Sequence, residues 1–598
     1  MENNKKLDSQ FRFALDIPAQ EREQSSTLNT GYDESTATWR VIVRYYGDLY
    51  EVERMLPGVQ VIPLYHQYGI IRVPETQLEA LAALPQIQYM EKPKEVYFSL
   101  EAGRGASCIN SVQGNVSADQ DYPTGAFSSG RSDLTGRGVI VGVADSGIDL
   151  THPAFRNQDG TTRILALWDQ SGIADPDAGL QAPRRYGQGV EWTKEQIDRV
   201  LLGENGQEML PGDTGSGHGS AVTGVAAGNG AGSAGRRYRG IAIESPIIFV
   251  KLSTSGEGFS RTTEVMEALD YMIREAESLG MPISLNISYG NNNGAHDGSS
   301  LFEGYISQLA GVWKNVISIA AGNEGDARHH AGVMLKNEPH RLQFAIGPGE
   351  RNLSLQIWKQ YTDDFTMFLE APNGTRVLLQ NAAEVQQYQL QNTRIYVYYG
   401  EPTPFQIKQE IYLEWFPERE AGTLTEGVWA LWMIPEKVVD GRVDMWFPTT
   451  ELIGLSTGFL EPEPDTTLTI PATADGIISV GAYQVSTDVI AAFSGRGDTA
   501  DGRMAPTLAA PGVDVVTAAP GGRYTARTGT SIAAPFVTGS AALMMEWGIV
   551  QGNDPYLYGE KVKAYLMKGA RRLPGQESVP DQKAGWGALC LADSLPNK

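Results

Sequence analysis

Cysteine is almost absent from this 598-residue sequence, which contains only Cys108 and Cys590. Two cysteines exclude the multi-bridge framework that stabilises many small secreted domains. Whether two residues so far apart in the chain are bonded to each other cannot be judged without geometry. The low count is typical of a reducing compartment, although many secreted bacterial proteins also lack cysteine.

Long apolar runs are missing as well. The N-terminus, MENNKKLDSQFRFALDIPAQEREQ, has basic residues but no apolar run long enough for the core of a signal peptide. No stretch approaches the roughly 20 apolar residues of a membrane-spanning helix. We therefore expect a cytoplasmic or otherwise non-Sec location and no membrane partner.

Positive charge is in deficit, because 48 Lys and Arg residues face 71 Asp and Glu residues. The formal net charge of -23 repels phosphate backbones and anionic lipid, so nucleic acid and membrane surfaces are poor partners. Solubility alone explains the acidic balance equally well. The charge therefore excludes partners but does not identify one.

The polar residues 1–36 predict a disordered leader. Residues 37–101 then read as strand, helix, two strands, helix and strand, beginning with the alternating segment TWRVIVRYY. The order β-α-β-β-α-β predicts a ferredoxin-like unit.

Two further patterns divide the remainder of the chain. Residues 102–332 and 466–598 alternate strands and helices, and the apolar run from Val139 to Val143 is typical of a buried parallel strand. These parts predict an α/β fold with a parallel sheet and helices on both faces. Residues 333–465 instead contain short alternating strands separated by turns such as Asp440-Gly441, which predicts an inserted all-β sandwich or jelly roll.

Three short segments carry residues suited to acyl transfer. The segment VADSGID around Asp145 ends a buried strand, GHGS around His218 opens a helix, and GTSIAAP around Ser531 opens another. Acyl transfer needs a nucleophilic hydroxyl, an imidazole to carry its proton, and a carboxylate to orient the imidazole. Each segment alone is weak evidence, because a strand-end Asp or a Gly-Thr-Ser turn is often structural.

Together, the three segments resemble the motifs of the subtilase family of serine proteases, in which the order is also Asp, His, Ser. The resemblance covers residues 40–332 and 466–598. It implies a subtilisin-like fold and a serine endopeptidase with Asp145, His218 and Ser531 as its catalytic triad.

The same resemblance assigns other site residues. In AAGNEG, Asn323 would donate to the oxyanion, although a turn-capping Asn is the structural alternative. An extended peptide would pair with two backbone segments and enter a pocket with small walls, which favours an apolar or roomy pocket. The predicted substrate-binding residues are Ser288, Tyr289, Gly290, Gly256, Gly258, Ala320, Ala321 and Gly322.

Neither a cofactor nor a metal is predicted. The loop at 228–233 lacks the pattern of a calcium site of the family, and the sequence predicts none there. The adjacent His329 and His330 suggest a metal pair, but neighbouring side chains point apart on most backbones, so a solvated loop is expected. His152 follows the Asp motif, as it often does in the family, and is expected to be structural.

Subtilases resemble one another in carrying a β-α-β-β-α-β propeptide, which gives residues 37–101 a meaning. The resemblance implies self-cleavage near Tyr97 to Gly103. The propeptide, the missing signal peptide and the β insertion together resemble the clostridial germination (Csp-type) proteases, which cleave the zymogen of a spore cortex hydrolase and keep their propeptide bound. The expected partners are therefore a protein substrate such as a zymogen and the chain's own propeptide, in the cytoplasm or associated with spores.

Two other functions stay open. A general bacterial subtilase with other protein substrates would carry the same motifs. A pseudoprotease that binds partners on the same fold is the alternative from a different class, because a fold alone does not assure activity. Such a protein would have lost members of the triad, whereas this sequence retains all three together with Asn323.

Overall fold

The apolar runs that predict buried strands form one nine-stranded sheet in this computed structural model of the chain. The structure describes residues 6–596, with gaps at 19–20, 23–24, 26–27, 34, 97–104, 114–132, 204–209, 214, 255–259, 383 and 420–421. Neighbouring strands are parallel except at the two edge pairings, where Val489–Ile490 and Val190–Thr193 are antiparallel. Leu508–Pro511 is a side strand that pairs in parallel with Ile478–Gln484. The other eight strands follow one another across the sheet in the order Val489–Ile490, Ile478–Gln484, Asn315–Ala320, Ile283–Ile287, Ile140–Asp145, Ile247–Lys251, Ile164–Asp169 and Val190–Thr193.

Helices cover both faces of this sheet. His218–Ala227 and Thr530–Met545 pack on one face, and Thr262–Ser278 and Leu301–Ala310 pack on the other. Burial on both faces explains why the strands read as continuous Val and Ile runs. The predicted α/β fold is confirmed. The other helices of this part are Asn110–Gln113, Lys194–Leu201, Gly559–Gly569 and Leu591–Ser594, and a hairpin joins Val515–Ala519 to Arg523–Arg527.

The expectation that no stretch approaches a membrane-spanning helix is wrong by length and composition alone, because the segment Thr530–Val550 meets both criteria. Its most apolar stretch is 94% buried inside the molecule, because the helix lies in the core of the α/β unit. Core position therefore accounts for this apolar composition.

The N-terminal region contains the predicted β-α-β-β-α-β unit. Its strands are antiparallel, and Thr38–Tyr45 lies at the centre between Tyr68–Pro74 and Ile87–Glu91. The remaining elements are the strands Tyr32–Asp33 and Gln60–Pro63 and the helices Tyr50–Met55 and Leu78–Ala83. We call residues 6–96 the prosegment.

The prediction that residues 1–36 form a disordered leader is wrong for the described part. Ser9–Asp16 is a helix whose first N–H groups are capped by the Asp8 carboxylate, at 3.0 and 3.2 Å. Phe11 packs edge-on against Trp39 of the prosegment sheet, and Phe13 packs edge-on against Tyr412 of the inserted region. Burial of these two aromatic rings stabilises the helix, although most other residues of the segment are polar.

The inserted region is a sandwich of two antiparallel sheets that share one hydrophobic core. Its first strand starts at His330 and its last ends at Phe459, within a few residues of the predicted 333–465. One sheet has the order His330–Met334, Arg442–Trp446, Leu353–Gln360, Lys408–Pro417, Thr393–Tyr399 and Gln386–Leu390. The other has the order Arg376–Leu379, Asp364–Glu370, Gly427–Lys437, His340–Ile346 and Gly458–Phe459.

The prosegment lies between the α/β unit and the sandwich and makes buried polar contacts with both. Towards the α/β unit, Arg40 pairs with Glu264 at 2.6 Å and also with Glu267. Towards the sandwich, Ser25 donates to Glu414 at 2.6 Å, and Ser9 donates to Glu410. Such contacts are costly to separate, because each would leave a polar group without its partner.

The two cysteines are joined to each other in a disulfide across a sequence separation of 482. Cys108 follows the prosegment, and Cys590 immediately precedes the short helix Leu591–Ser594. The bond therefore attaches the start of the α/β unit to its C-terminal end.

Buried acids make the prosegment–sandwich interface sensitive to pH. Burial raises the pKa of Glu410 and of Glu414 to about 7, and that of Asp8 to about 6. Lys94 and Lys92 are the nearby cations that partly oppose these shifts. The folded interface therefore binds these protons more tightly than the separated chain does. The resulting stabilisation is complete below the ordinary pKa of the carboxyl groups and is lost as pH rises through their raised pKa values.

We therefore expect the helix Ser9–Asp16 to lose amide-exchange protection as pH rises from about 5 to about 8, after correction for intrinsic exchange. The double variant Glu410→Gln, Glu414→Gln should show a much flatter profile, whereas Glu418→Gln, on the exposed surface of the same region, should behave as wild type. Equal pH dependence in all three proteins would show that these carboxyl groups do not control the interface.

Candidate active site

Asp145 is the last residue of a central strand, Ile140–Asp145, at the carboxyl edge of the parallel sheet. Its Oδ1 accepts a hydrogen bond from the Ser146 N–H at 2.8 Å, and its backbone oxygen accepts one from the Leu252 N–H at 2.8 Å. The side chain is fully buried. These contacts fix the carboxylate at the edge where ligands of parallel sheets bind.

His218 is the first residue of the helix His218–Ala227, and its Nδ1 lies 2.8 and 3.0 Å from the two Asp145 oxygens. The helix can approach because the next residue is glycine. A Cβ on Gly219 would lie 2.0 Å from the Gly147 carbonyl oxygen. The sequence GHG thus brings the imidazole against the Asp loop at a distance that a larger residue would prevent.

Ser531 lies at the start of the helix Thr530–Met545, and its Oγ is 3.2 Å from His218 Nε2. The structure therefore brings together three residues that are 73 and 313 positions apart in sequence. All three side chains are buried, with Ser531 only 1% exposed. This arrangement allows the imidazole to accept the hydroxyl proton while the carboxylate holds its other nitrogen.

A row of polar side chains on the strand Ile283–Ile287 and its extension supports the serine helix. Ser288 Oγ donates to the Ser531 carbonyl at 2.8 Å, and Asn286 donates to Ser288 Oγ at 2.7 Å. Thr538, further along the serine helix, donates to Asn286 at 3.1 Å. Ser288 was predicted to bind substrate through its backbone, and its hydroxyl holds the backbone of Ser531.

Asn323 is oriented by the residue that precedes the serine. The Thr530 N–H and hydroxyl both donate to Asn323 Oδ1, at 3.2 and 3.1 Å. With the oxygen held by two donors, the amide nitrogen of Asn323 faces away from Thr530. This role of Thr530 was not predicted, because the motif around Ser531 does not indicate a contact with Asn323.

Most of the predicted binding residues line one cavity beside Ser531. The members found there are Ser288, Tyr289, Gly290, Ala320, Gly322 and Asn323. Ala321 differs, since its backbone N–H and carbonyl bond to Val480 and Thr469 instead. Gly256 and Gly258 lie outside the described residues, as does the expected cleavage region from Tyr97 to Gly103.

The walls of this cavity are more acidic than the sequence predicted. Glu324, Thr449, Glu451 and Thr469 also line it, whereas an apolar or roomy pocket was expected. Glu324 is buried and bonds to His329 at 2.6 Å, whereas Glu451 lies at the exposed mouth of the cavity. Thr449 and Glu451 follow the last long strand of the sandwich, so no local motif could have indicated them.

The expectation of a solvated loop at His329 and His330 is wrong. Both side chains are buried, and the His330 ring stacks on Trp446 with centroids 4.7 Å apart. His296 stacks on the same indole at 4.2 Å, and burial lowers its pKa to about 4. The neutral His296 and its two neighbouring rings join the sandwich to the α/β unit.

His152 and the loop at 228–233 have structural contacts. His152 is buried and accepts from the Ala154 N–H at its own turn. The Asn229 side chain donates to the Arg156 carbonyl and accepts from the Ala231 N–H, at 2.8 and 2.9 Å. Among the described residues, no group of three or more His, Cys, Asp or Glu side chains is placed to hold a metal ion.

Two family models match the sequence. The model of the subtilase family matches residues 136–344 and 456–587, and that of the Csp protease B prodomain matches residues 5–94. The subtilase match alone covers more than half of the chain. The second match begins within the residues that were predicted to be a disordered leader.

Two solved protease structures are similar to this chain to different degrees. The CspB protease of Clostridium perfringens is 33% identical, with a TM-score of 0.72 over 82% of this chain and 96% of that chain. Fervidolysin from Fervidobacterium pennivorans is 16% identical, with a TM-score of 0.46 over 94% of this chain and 61% of that chain. At 82% of this chain, the first comparison extends beyond the residues that the subtilase model matches.

Curated relatives match this chain over part of their length. The C5a peptidase of Streptococcus pyogenes is 22% identical over 500 residues, which are 77% of this chain and 41% of that protein. Serine protease AprX of Bacillus subtilis is 28% identical over 156 residues, which are 23% of this chain and 33% of that protein. The chain thus spans less than half the length of either relative.

Proposed function

Because this chain belongs to the subtilase family of serine proteases, we propose that it hydrolyses peptide bonds through Asp145, His218 and Ser531. The observation that carries this proposal is the continuous path of hydrogen bonds from the Asp145 carboxylate through the imidazole to Ser531 Oγ. A pseudoprotease that had lost a member of the triad would lack this path.

The chemistry follows from the contacts. Ser531 Oγ attacks the carbonyl carbon of the scissile bond while His218 Nε2 takes its proton, and Asp145 stabilises the resulting imidazolium. The imidazolium then protonates the departing amine, which leaves an ester on Ser531 for water to hydrolyse. The Asn323 amide and the Ser531 N–H would donate to the oxyanion, and loss of such a donor typically lowers turnover by about 100- to 1,000-fold.

The prosegment supplies the first substrate. Glu95–Val96 pairs antiparallel with Ser260–Arg261, and the Thr262 N–H donates to the Lys94 carbonyl. Addition of a strand is the way subtilases bind extended peptides, as the resemblance implies. The pairing holds the end of the prosegment against the strand Ser260–Arg261, which supports self-cleavage between Tyr97 and Gly103. The buried contacts of Arg40 and Glu414 support retention of the prosegment after the cut.

The acidic cavity indicates the substrate residue before the cut. The carboxyl groups of Glu324 and Glu451 lie at the walls next to Ser531. A side chain that presents N–H donors, such as Lys, Arg or Gln, would pair with these carboxylates, whereas Asp or Glu would be repelled. The site would therefore select against acidic residues at this position.

We further propose that the physiological substrate is a zymogen, as in the clostridial germination proteases, and that the enzyme acts in the cytoplasm or in association with spores. The extensive similarity to the CspB protease supports this role. Burial of Ser531 in the unprocessed chain also suits an enzyme that is activated once and acts on few proteins. A general subtilase with other substrates is the second candidate.

Ser531→Ala should leave a single unprocessed chain, because the nucleophile for self-cleavage is gone. Ser278→Ala, which removes a hydroxyl at the exposed end of the helix Thr262–Ser278, should be processed as wild type. Denaturing electrophoresis and N-terminal sequencing would measure both, with a fluorophosphonate probe applied to the same samples. Cleavage of Ser531→Ala in a purified preparation would exclude self-processing, and unlabelled processed wild type would contradict the catalytic role of Ser531.

Glu451→Gln should weaken discrimination against acidic residues. We expect the ratio of kcat/KM for peptides with Lys and with Glu before the cut to fall about fivefold, the equivalent of about 1 kcal/mol of charge interaction. Glu461→Gln removes the same charge from an exposed position outside the cavity and should leave the ratio unchanged. An unchanged ratio in Glu451→Gln would show that this carboxylate does not contribute to specificity.

A further inference from the structure

A second cavity, of about 640 Å³, lies away from the triad behind both catalytic helices. Val225 lines it from the His218 helix, and Phe536 lines it from the Ser531 helix. Val513 and Val515 form another wall, and Arg239 lies at the side. The volume is within the range of small-molecule sites, roughly 300 to 1,000 Å³.

Arg239 is the unusual residue of this cavity. Its Nε is buried and makes no hydrogen bond, and none of the ion pairs among the described residues includes its guanidinium. Removal from water lowers its pKa, and no carboxylate is close enough to offset that effect. A buried donor without a partner is costly, so the Nε of Arg239 calls for an explanation even though the side chain is partly exposed.

The composition of the chain makes this lack of a partner more notable. Acidic residues outnumber basic residues by 71 to 48, yet none of them pairs with Arg239 in the described part of the chain. Two other charged residues line the cavity, Arg237 and Asp514, and both are exposed at its rim. Of the lining residues that the structure describes, Arg239 is thus the one charged residue that is not exposed at the rim.

The remaining walls are mostly apolar. Val515 and Phe536 are buried, and Val225 is 3% exposed. A ligand that fits this cavity needs an anionic group to pair with the Arg239 guanidinium and a hydrocarbon body to contact the apolar walls. The planar donor fork of arginine suits a carboxylate, with which it can form two parallel hydrogen bonds.

We propose that this cavity binds an apolar carboxylate, with its carboxylate group on Arg239 and its hydrocarbon body against Val225, Val515 and Phe536. Two sources share this chemistry, a free organic acid and the C-terminal carboxylate of a polypeptide that ends in apolar residues. Either one would contact the helices that carry His218 and Ser531.

Binding would therefore stabilise the packing of the two catalytic helices against each other. Val225 is seven residues after His218, and Phe536 is five residues after Ser531. A ligand that binds only the folded protein raises its unfolding temperature in a concentration-dependent manner. The proposal does not depend on whether the triad is active, because binding is measured directly.

Titration calorimetry of the full processed chain with sodium octanoate tests the proposal. We expect saturable binding by wild type and by Arg199→Gln, which removes an exposed arginine outside the cavity. Arg239→Gln should bind about tenfold to a hundredfold more weakly, since hydrogen bonds to charged groups contribute about 1.5 to 3 kcal/mol. Arg239→Lys, which keeps the charge but lacks the fork, should have intermediate affinity.

Octanamide and two peptides complete the test. Octanamide has the same body without the charge and should bind at least about tenfold more weakly than octanoate. A peptide that ends in Leu-Val with a free carboxylate, compared with its amidated form, distinguishes the sources: tighter binding than octanoate indicates a chain terminus, and weaker binding indicates a free acid. Equal binding of octanoate by wild type and Arg239→Gln, equal binding of octanamide and octanoate, or no binding of any carboxylate at millimolar concentration would overturn the proposal.

Discussion

Arg40 of the prosegment is buried between Glu264 and Glu267, and much of the molecule's organisation depends on this ion triad. Both carboxylates belong to the helix Thr262–Ser278, which follows directly on the strand Ser260–Arg261 that pairs with the prosegment tail. Breaking a buried pair by removing one partner typically costs about 3 to 5 kcal/mol. Removal of the Arg40 side chain from the bound prosegment would thus leave two buried acids without this cation, beside the strand that pairs with the prosegment tail.

The sandwich adds a second constraint on the same element. Its residues Tyr396, Tyr398, Tyr412 and Phe416 belong to one hydrophobic core with the prosegment, so that the prosegment is packed on two sides. The sandwich in turn contacts the α/β unit through the stack of His296, Trp446 and His330. A cut near residue 97 would sever the chain without separating these contacts. We therefore interpret the inserted region as the part that keeps the cleaved prosegment in place.

Sequence alone was sufficient for the parts of the molecule that local pattern determines. The strands are apolar because both faces of the sheet are covered, and the residues around Asp145, His218 and Ser531 are small because backbones approach closely there. Residues whose roles depend on distant chain segments could not be found in this way. Thr449 and Glu451 reach the cleft only through the return of the chain from the sandwich, and Phe13 finds its partner Tyr412 about 400 positions away. His330 was misjudged for the same reason, since its partner Trp446 lies on a neighbouring strand of the sandwich.

The central claim is that the prosegment remains bound after cleavage and limits access to Ser531. Size-exclusion chromatography of the processed protein, followed by mass measurement of the eluted peak, tests it most directly. The account predicts that a fragment ending between residues 97 and 103 elutes with the remainder of the chain at neutral pH, and that Arg40→Ala releases it. A processed wild-type protein that elutes without its prosegment would contradict the account.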